Sequence, residues 1–183
     1  MSYNVPSYET DRFSFGPGVL YMGPAGSTPT IDIGQVKGDA EFSVERTKLE
    51  VLAGSPQSRI KSYATKEEVM IKLTGIEWNL DNLAYNLGAG VTSVNGAEEI
   101  LEFGGDMDTN NRALRFVHRQ PDGSTIDIHL FNAEGNGKLS IAMKENDLHE
   151  MAYEYVALEG TVDFENAALA DNKKKFKIIR TKA

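Results

Sequence analysis

The chain has no cysteine among its 183 residues. That excludes disulfides, thiolate metal sites and cysteine nucleophiles, while leaving the compartment open. Long apolar runs are missing too: no stretch approaches the roughly 18 residues a membrane-spanning helix needs. The start, MSYNVPSYETDRFSF, carries neither a basic n-region nor an apolar h-region, so it predicts no secretory signal. Basic residues are scarce. Lys and Arg total 19 against 27 Asp and Glu, a formal charge of −8.

The charge is unevenly spread. Six cations (Lys173, Lys174, Lys175, Lys177, Arg180, Lys182) against Asp171 give residues 171–183 a charge of +5, so the other 170 carry −13. Such an acidic body repels a phosphate backbone and disfavours non-specific nucleic-acid binding. The basic C-terminal tail, 166–183, reads as a solvated end or as a strand that meets an acidic surface on a neighbour rather than as a nucleic-acid arm.

Catalytic signatures are also lacking. There is no GxSxG elbow, no GxxxxGK[ST] phosphate loop and no HExxH. The glycines of FGPGVLYMGPAG lack dinucleotide-loop spacing and read as turns. DMDTNN, Asp106 to Asn111, begins like a calcium loop, but Asn111 and Val117 stand where that loop needs Gly and Glu, so it reads as an Asx-rich turn. The adjacent pairs Glu67-Glu68 and Glu98-Glu99 point to opposite faces of any strand and cannot converge on one substrate. No enzyme, metal or cofactor is expected.

What is present is strand after strand. Residues 1–15 read as an extended arm. GVLYMG (Gly18 to Gly23) and TIDIGQV (Thr30 to Val36) are short strands around a Gly/Pro/Ser turn. Ala40, Phe42 and Val44 alternate with Glu41, Ser43 and Glu45, as on a half-buried strand. After Val44 the even positions become Arg46, Lys48 and Glu50 while Leu49 and Val51 take the odd phase, so the buried face ends or switches. Alternation returns at Val69, Ile71 and Leu73, opposite Glu68, Met70 and Lys72, and Gly75 suggests a bulge before Ile76 and Trp78.

Asn79 is placed as an N-cap, followed by Leu80, Leu83, Ala84 and Leu87 at helical spacing and by Gly88 for the left-handed exit. Trp78, with Leu80, Leu83 and Leu87, is expected to dock this short helix on the sheet.

In RALRFVHRQPDGSTIDIHLF a three-residue Pro121-Asp122-Gly123 loop pairs Leu114 with Leu130, Phe116 with Ile128 and His118 with Ile126. His118 and His129 then face opposite ways, wrong for a shared metal ion. GKLSIAM is a further strand. NDLHEMAYEYVALEG is ambiguous, its capping box and apolar spacing favouring a helix and its aromatic and β-branched content a strand.

The order of these pieces carries a resemblance. A strand in IDIGQVKGDAEFSVE leads into a long polar excursion, SYATKEEVMIKLTGIEW returns, and NLDNLAYNLG follows, with TIDIHLFNAEGNGKLSIAMKENDLHEMAYEYVALEG near the end. This is similar to the tail tube (major tail) proteins of long-tailed bacteriophages, over about residues 15 to 165. The resemblance implies one mainly β domain, a β-sandwich or barrel-like fold with a flanking helix, and a strand rather than a helix over 149–158.

It implies a virion structural protein that self-assembles as stacked hexameric rings around a DNA conduit, made in the host cytoplasm and resident in the tail. Implied partners are itself, tape-measure, tail terminator and baseplate or tail-tip proteins, and a sheath if the tail contracts; DNA passes without specific binding, and no membrane is involved. The excursion 47–66 would reach the neighbouring ring through Arg46, Lys48, Glu50, Gln57, Arg59 and Lys61. Glu41, Ser43, Glu45, Glu68 and Lys72 are candidates for a water-lined lumen, or an ordinary solvent face. The competing reading is a non-catalytic β-sandwich module binding a carbohydrate or protein partner, with Trp78 in its pocket.

Overall fold

The computed structural model describes residues 18–105 and 109–182. The expected N-terminal arm and the Asp106 and Asp108 of the Asx-rich turn lie outside them. Among the described residues the strands are β1 (Gly18–Gly23), β2 (Ile31–Asp32), β3 (Glu41–Ala53), β4 (Ser58–Gly75), β5 (Val91–Asn95), β6 (Glu98–Glu102), β7 (Arg112–Arg119), β8 (Thr125–Gly135), β9 (Ile141–Ala142), β10 (Glu150–Ala157) and β11 (Phe176–Thr181), with one α-helix, α1 (Leu80–Leu87). The fold is mainly β with one short helix, as expected.

The main sheet runs β2-β1-β7-β8-β10-β4-β3. The chain after β2 then returns to the far side of β4: Lys37 N donates to Thr74 O at 2.8 Å and Ile76 N to Gln35 O at 3.1 Å, around a Val36–Gly75 bridge. These bonds close the sheet into a barrel, which removes the open edges there. Its interior is filled by alternate residues of each strand, among them Leu20, Met22, Val69, Ile71, Leu73, Leu114, Leu130, Met151, Tyr153 and Tyr155.

The β7–β8 hairpin has the expected register, Leu114 opposite Leu130, Phe116 opposite Ile128 and His118 opposite Ile126. Gly123 sits at φ +88, the left-handed position a three-residue loop needs. Residues 150–157 form a strand, not a helix. The alternation decides it: Met151, Tyr153, Tyr155 and Ala157 are buried on one face, and β10 is hydrogen-bonded to β4 on one side and β8 on the other. Helical spacing there was a by-product of strand alternation in a segment rich in small and aromatic residues.

Other expectations change. Gly75 carries no bulge; it stays in register opposite Met151, and the ring of Tyr153 lies where a Cβ would be, 2.3 Å from Cε2. The strand expected in GKLSIAM shrinks to β9, and the one in TIDIGQV to β2 plus the bridge at Val36. The basic tail is not a free end. Its second half is β11, paired antiparallel with β8 from Phe176–Leu130 to Thr181–Thr125, with Phe176 edge-on to Phe42 at 5.4 Å.

Helix α1 begins as the sequence indicates, with Asn79 Oδ1 accepting from Asn82 N at 3.2 Å, and Gly88 closes it at φ +77. Leu83 is buried, Leu80 packs against the core and Leu87 is half-buried. Trp78 does not dock the helix: it is 51% exposed, its ring edge-on to His149 at 6.2 Å. It stands one residue before the N-cap, ahead of the helical face that meets the sheet. Leu83→Ala is therefore expected to cost about 2–4 kcal/mol in chemical denaturation, and Trp78→Ala under about 1 kcal/mol.

A four-charge network fastens the turn after β2 to the loop before β10. Lys37 Nζ lies 2.6 Å from Asp147 Oδ2 and 3.0 Å from Glu150 Oε1, and Lys144 Nζ lies 2.7 Å from Glu150 Oε1. The Lys37 hydrogen bond, then the Leu148 N–H, lowers the Asp147 pKa from 3.8 to about 2. A carboxylate whose folded pKa lies below its unfolded value contributes stability above the unfolded pKa and loses it as pH falls. The Tm gap between wild type and Asp147→Asn should therefore be steady at neutral pH and close as pH falls from about 4 towards 2.

Candidate assembly surface

The strands β3 and β4 leave the barrel together. Their ladder runs from Glu41–Lys72 to Ala53–Ser58 with register shifts after Thr47 and Val51, which leave Thr65 and Ile60 without a cross-strand partner. The expected loop 47–66 is thus a regular two-stranded ribbon almost to its tip, with bulges here rather than at Gly75. Every residue from Val44 to Lys66 is exposed. At about 3.3 Å per residue the ribbon projects roughly 30 Å. A ribbon of two strands is marginal in water by itself, and both of its outer edges offer unpaired backbone groups.

The six expected contact residues are divided by the pleat. Arg46, Lys48 and Glu50 share one side of β3, with Arg59 reaching Glu50 at 2.5 Å and Arg46 reaching Glu67 at 2.7 Å. Lys61 lies on the other side, opposite Val51, its ammonium 4.6 Å from the ring centre of Tyr63. Gln57 is at the tip, between the two strands.

That second side is largely apolar. Leu49 faces Tyr63 directly across the ladder, beside Val51, and all three are exposed, as are Leu52 and Ile60. The phase switch after Val44 was the signal for Leu49 and Val51; bulges at Thr65 and Ile60 hid the pattern in β4.

Nearer the barrel the candidate lumen residues do share a face. Glu41 pairs with Lys72, Ser43 with Met70, and Glu45 with Glu68. Lys66 bonds Glu68 and lowers its pKa, which relieves the two facing carboxylates. Lys72 also meets Glu154 at 3.2 Å, extending the polar face onto β10.

The two histidines of the β7–β8 hairpin lie on its opposite faces. His118 is buried towards the core side, while His129 points the other way and stacks on Phe164 at 4.4 Å, burial lowering its pKa. No group of three or more His, Asp or Glu side chains able to hold a metal occurs among the described residues. No helix among them is long and apolar enough to cross a membrane.

A second surface lies at α1. Trp78, Asn79, Asp81, Thr92, Val94 and Glu99 line an open groove of about 390 Å³ between the helix start and the β5–β6 hairpin. That hairpin was missed in the sequence. Its signal was Gly96, at φ +64 in the first position of a two-residue turn between Asn95 and Glu98. No protein-family model and no curated protein matches the chain.

Proposed function

We propose that this chain is a structural subunit that assembles with copies of itself into the tail tube of a bacteriophage or a related particle. The observation that carries the reading is the β3–β4 ribbon. It exposes Leu49, Leu52, Ile60 and Tyr63 and both backbone edges, and nothing among the described residues covers them. A ribbon of that kind acquires its burial from another subunit.

The residue order and the barrel with one flanking helix are further support, and the acidic body suits a conduit through which DNA slides without being held. In this reading the polar face of Glu41, Ser43, Glu45, Glu68 and Lys72 borders the lumen. Tape-measure, terminator and tail-tip proteins would be its further partners. Sedimentation velocity over a concentration series tests the proposal: rings and longer species support it, and a monomer at every concentration, with and without tail-assembly factors, sinks it.

The Trp78 groove favours a second reading, a carbohydrate- or protein-binding module. An exposed indole beside Asn79, Asp81, Thr92 and Glu99 offers a stacking platform with polar partners. Specific glycan binding by the monomer, lost in Trp78→Ala, would favour this alternative.

A further inference from the structure

The ribbon and the α1–β5–β6 region differ in charge and lie at opposite ends of the subunit. Strands β4 and β8 are each antiparallel to β10 and so run in the same direction. The start of β4, with the ribbon tip before it, therefore lies at the Thr125 end of the barrel. The Thr181 end of β11 is there too, paired with Thr125. At the opposite end Gly135 lies under α1, so close that a Cβ would be 2.3 Å from the Tyr85 and Asn86 carbonyls, and Gly137 N donates to Asn86 O at 3.2 Å. Helix α1 carries β5 and β6 with it.

At that end the foot, α1 with the β5–β6 hairpin, is built from a cation-free stretch, while Lys37 and Lys144 at the same end of the barrel are engaged by Asp147 and Glu150. From Thr74 to Asn111 there is no Lys or Arg and there are seven acids. Five of these, Glu77, Asp81, Glu98, Glu99 and Glu102, are described, and all five are exposed. None has a salt-bridge partner among the described residues. Apolar surface is interspersed with them: Trp78, Val91, Val94 and Phe103 are exposed, Val94 by 75%.

The ribbon at the other end is the complement. Residues 46–66 hold five cations (Arg46, Lys48, Arg59, Lys61, Lys66) and one acid, Glu50. Arg46 and Lys66 are taken up at the base by Glu67 and Glu68, and beyond them Lys48 and Lys61 remain in excess beside Leu49, Leu52 and Ile60. Both surfaces are apolar patches set among charges, of opposite sign, at opposite ends of one molecule. A head-to-tail repeat brings one onto the other, and such heterologous contacts propagate from copy to copy unless a rotation closes them into a ring.

We propose that the foot, comprising the Trp78 groove and the β5–β6 hairpin, is the receiving surface for the β3–β4 ribbon of the next copy. This rests on the self-assembly proposed above and names the surface that the ribbon meets.

A charge swap tests it. Glu98→Lys/Glu99→Lys/Glu102→Lys reverses the foot, and Lys48→Glu/Lys61→Glu reverses the ribbon; all five sites are exposed, so both variants should keep the wild-type circular dichroism spectrum. Each alone should need at least about tenfold more protein to assemble, since several exposed attractions become repulsions. An equimolar mixture should recover wild-type assembly, because each reversed surface then meets its complement. Wild-type assembly by both single variants, or no recovery on mixing, overturns the receiving surface while self-assembly stands. A wild-type chain that does not assemble under any condition overturns the self-assembly reading and this inference together.

Discussion

Replacing Ala53–Ile60 by Asn-Gly is expected to leave a folded subunit that no longer elongates. The cut falls in a segment whose every residue is exposed, beyond the Val51–Lys61 pair, which becomes the last rung with Leu52-Asn-Gly as its three-residue loop. No barrel residue loses a contact, because the core lies on the far side of Val69. Thermal melting should therefore stay within about 3 °C of wild type, as for surface changes worth under about 1 kcal/mol. Assembly should fail, since Ile60, Arg59, Gln57 and the exposed edge go with the deletion. Normal assembly by this variant would show that the ribbon tip is dispensable.

The second large effect is expected inside the fold, at Asn86. This side chain is fully buried and fastens α1 to the barrel by three hydrogen bonds. Its Nδ2 donates to Lys138 O at 2.8 Å and Ala152 O at 3.2 Å, and its Oδ1 accepts from Glu154 N at 2.9 Å. Asn86→Ala leaves three backbone groups without partners and opens a small void. At about 1–3 kcal/mol for each unsatisfied buried group, with water entering the void offsetting part of it, a loss of roughly 3–5 kcal/mol follows. For a chain of this size that lowers Tm by about 6–20 °C. Asn82, whose Nδ2 donates to Ile33 O at 2.7 Å, fixes the other turn of the helix. A helix of eight residues is held by these bonds as much as by Leu83.

Those two asparagines mark where sequence reasoning stopped. Leucine spacing located α1, but nothing in NLDNLAYNLG distinguishes a buried asparagine from an exposed one; the partners are backbone carbonyls and an amide as many as 68 residues away. The β7–β8 register was legible because only one loop length keeps the apolar residues facing each other. The ribbon was legible as an excursion, through the lost phase after Val44 and its return at Val69. Its apolar side was half-hidden, because two bulges in β4 break the period of two on which the reading depends. The lysines of 171–182 point to a solvated end or to a strand for a neighbour's surface, whereas Phe176, Ile178 and Ile179 signal a strand that pairs within the chain. Trp78 reads as packing because tryptophans are usually well buried, and its place just ahead of the N-cap puts it in the groove instead, where the competing pocket reading places it.

The central claim is that the ribbon's missing burial is supplied by other copies of the chain. Negative-stain electron microscopy of the purified full-length protein, over a range of concentration and salt, tests it most directly. The account predicts rings or hollow tubes with a regular axial repeat, fewer at high ionic strength. Isolated globular particles throughout, at high concentration and with tail-assembly factors present, would contradict it.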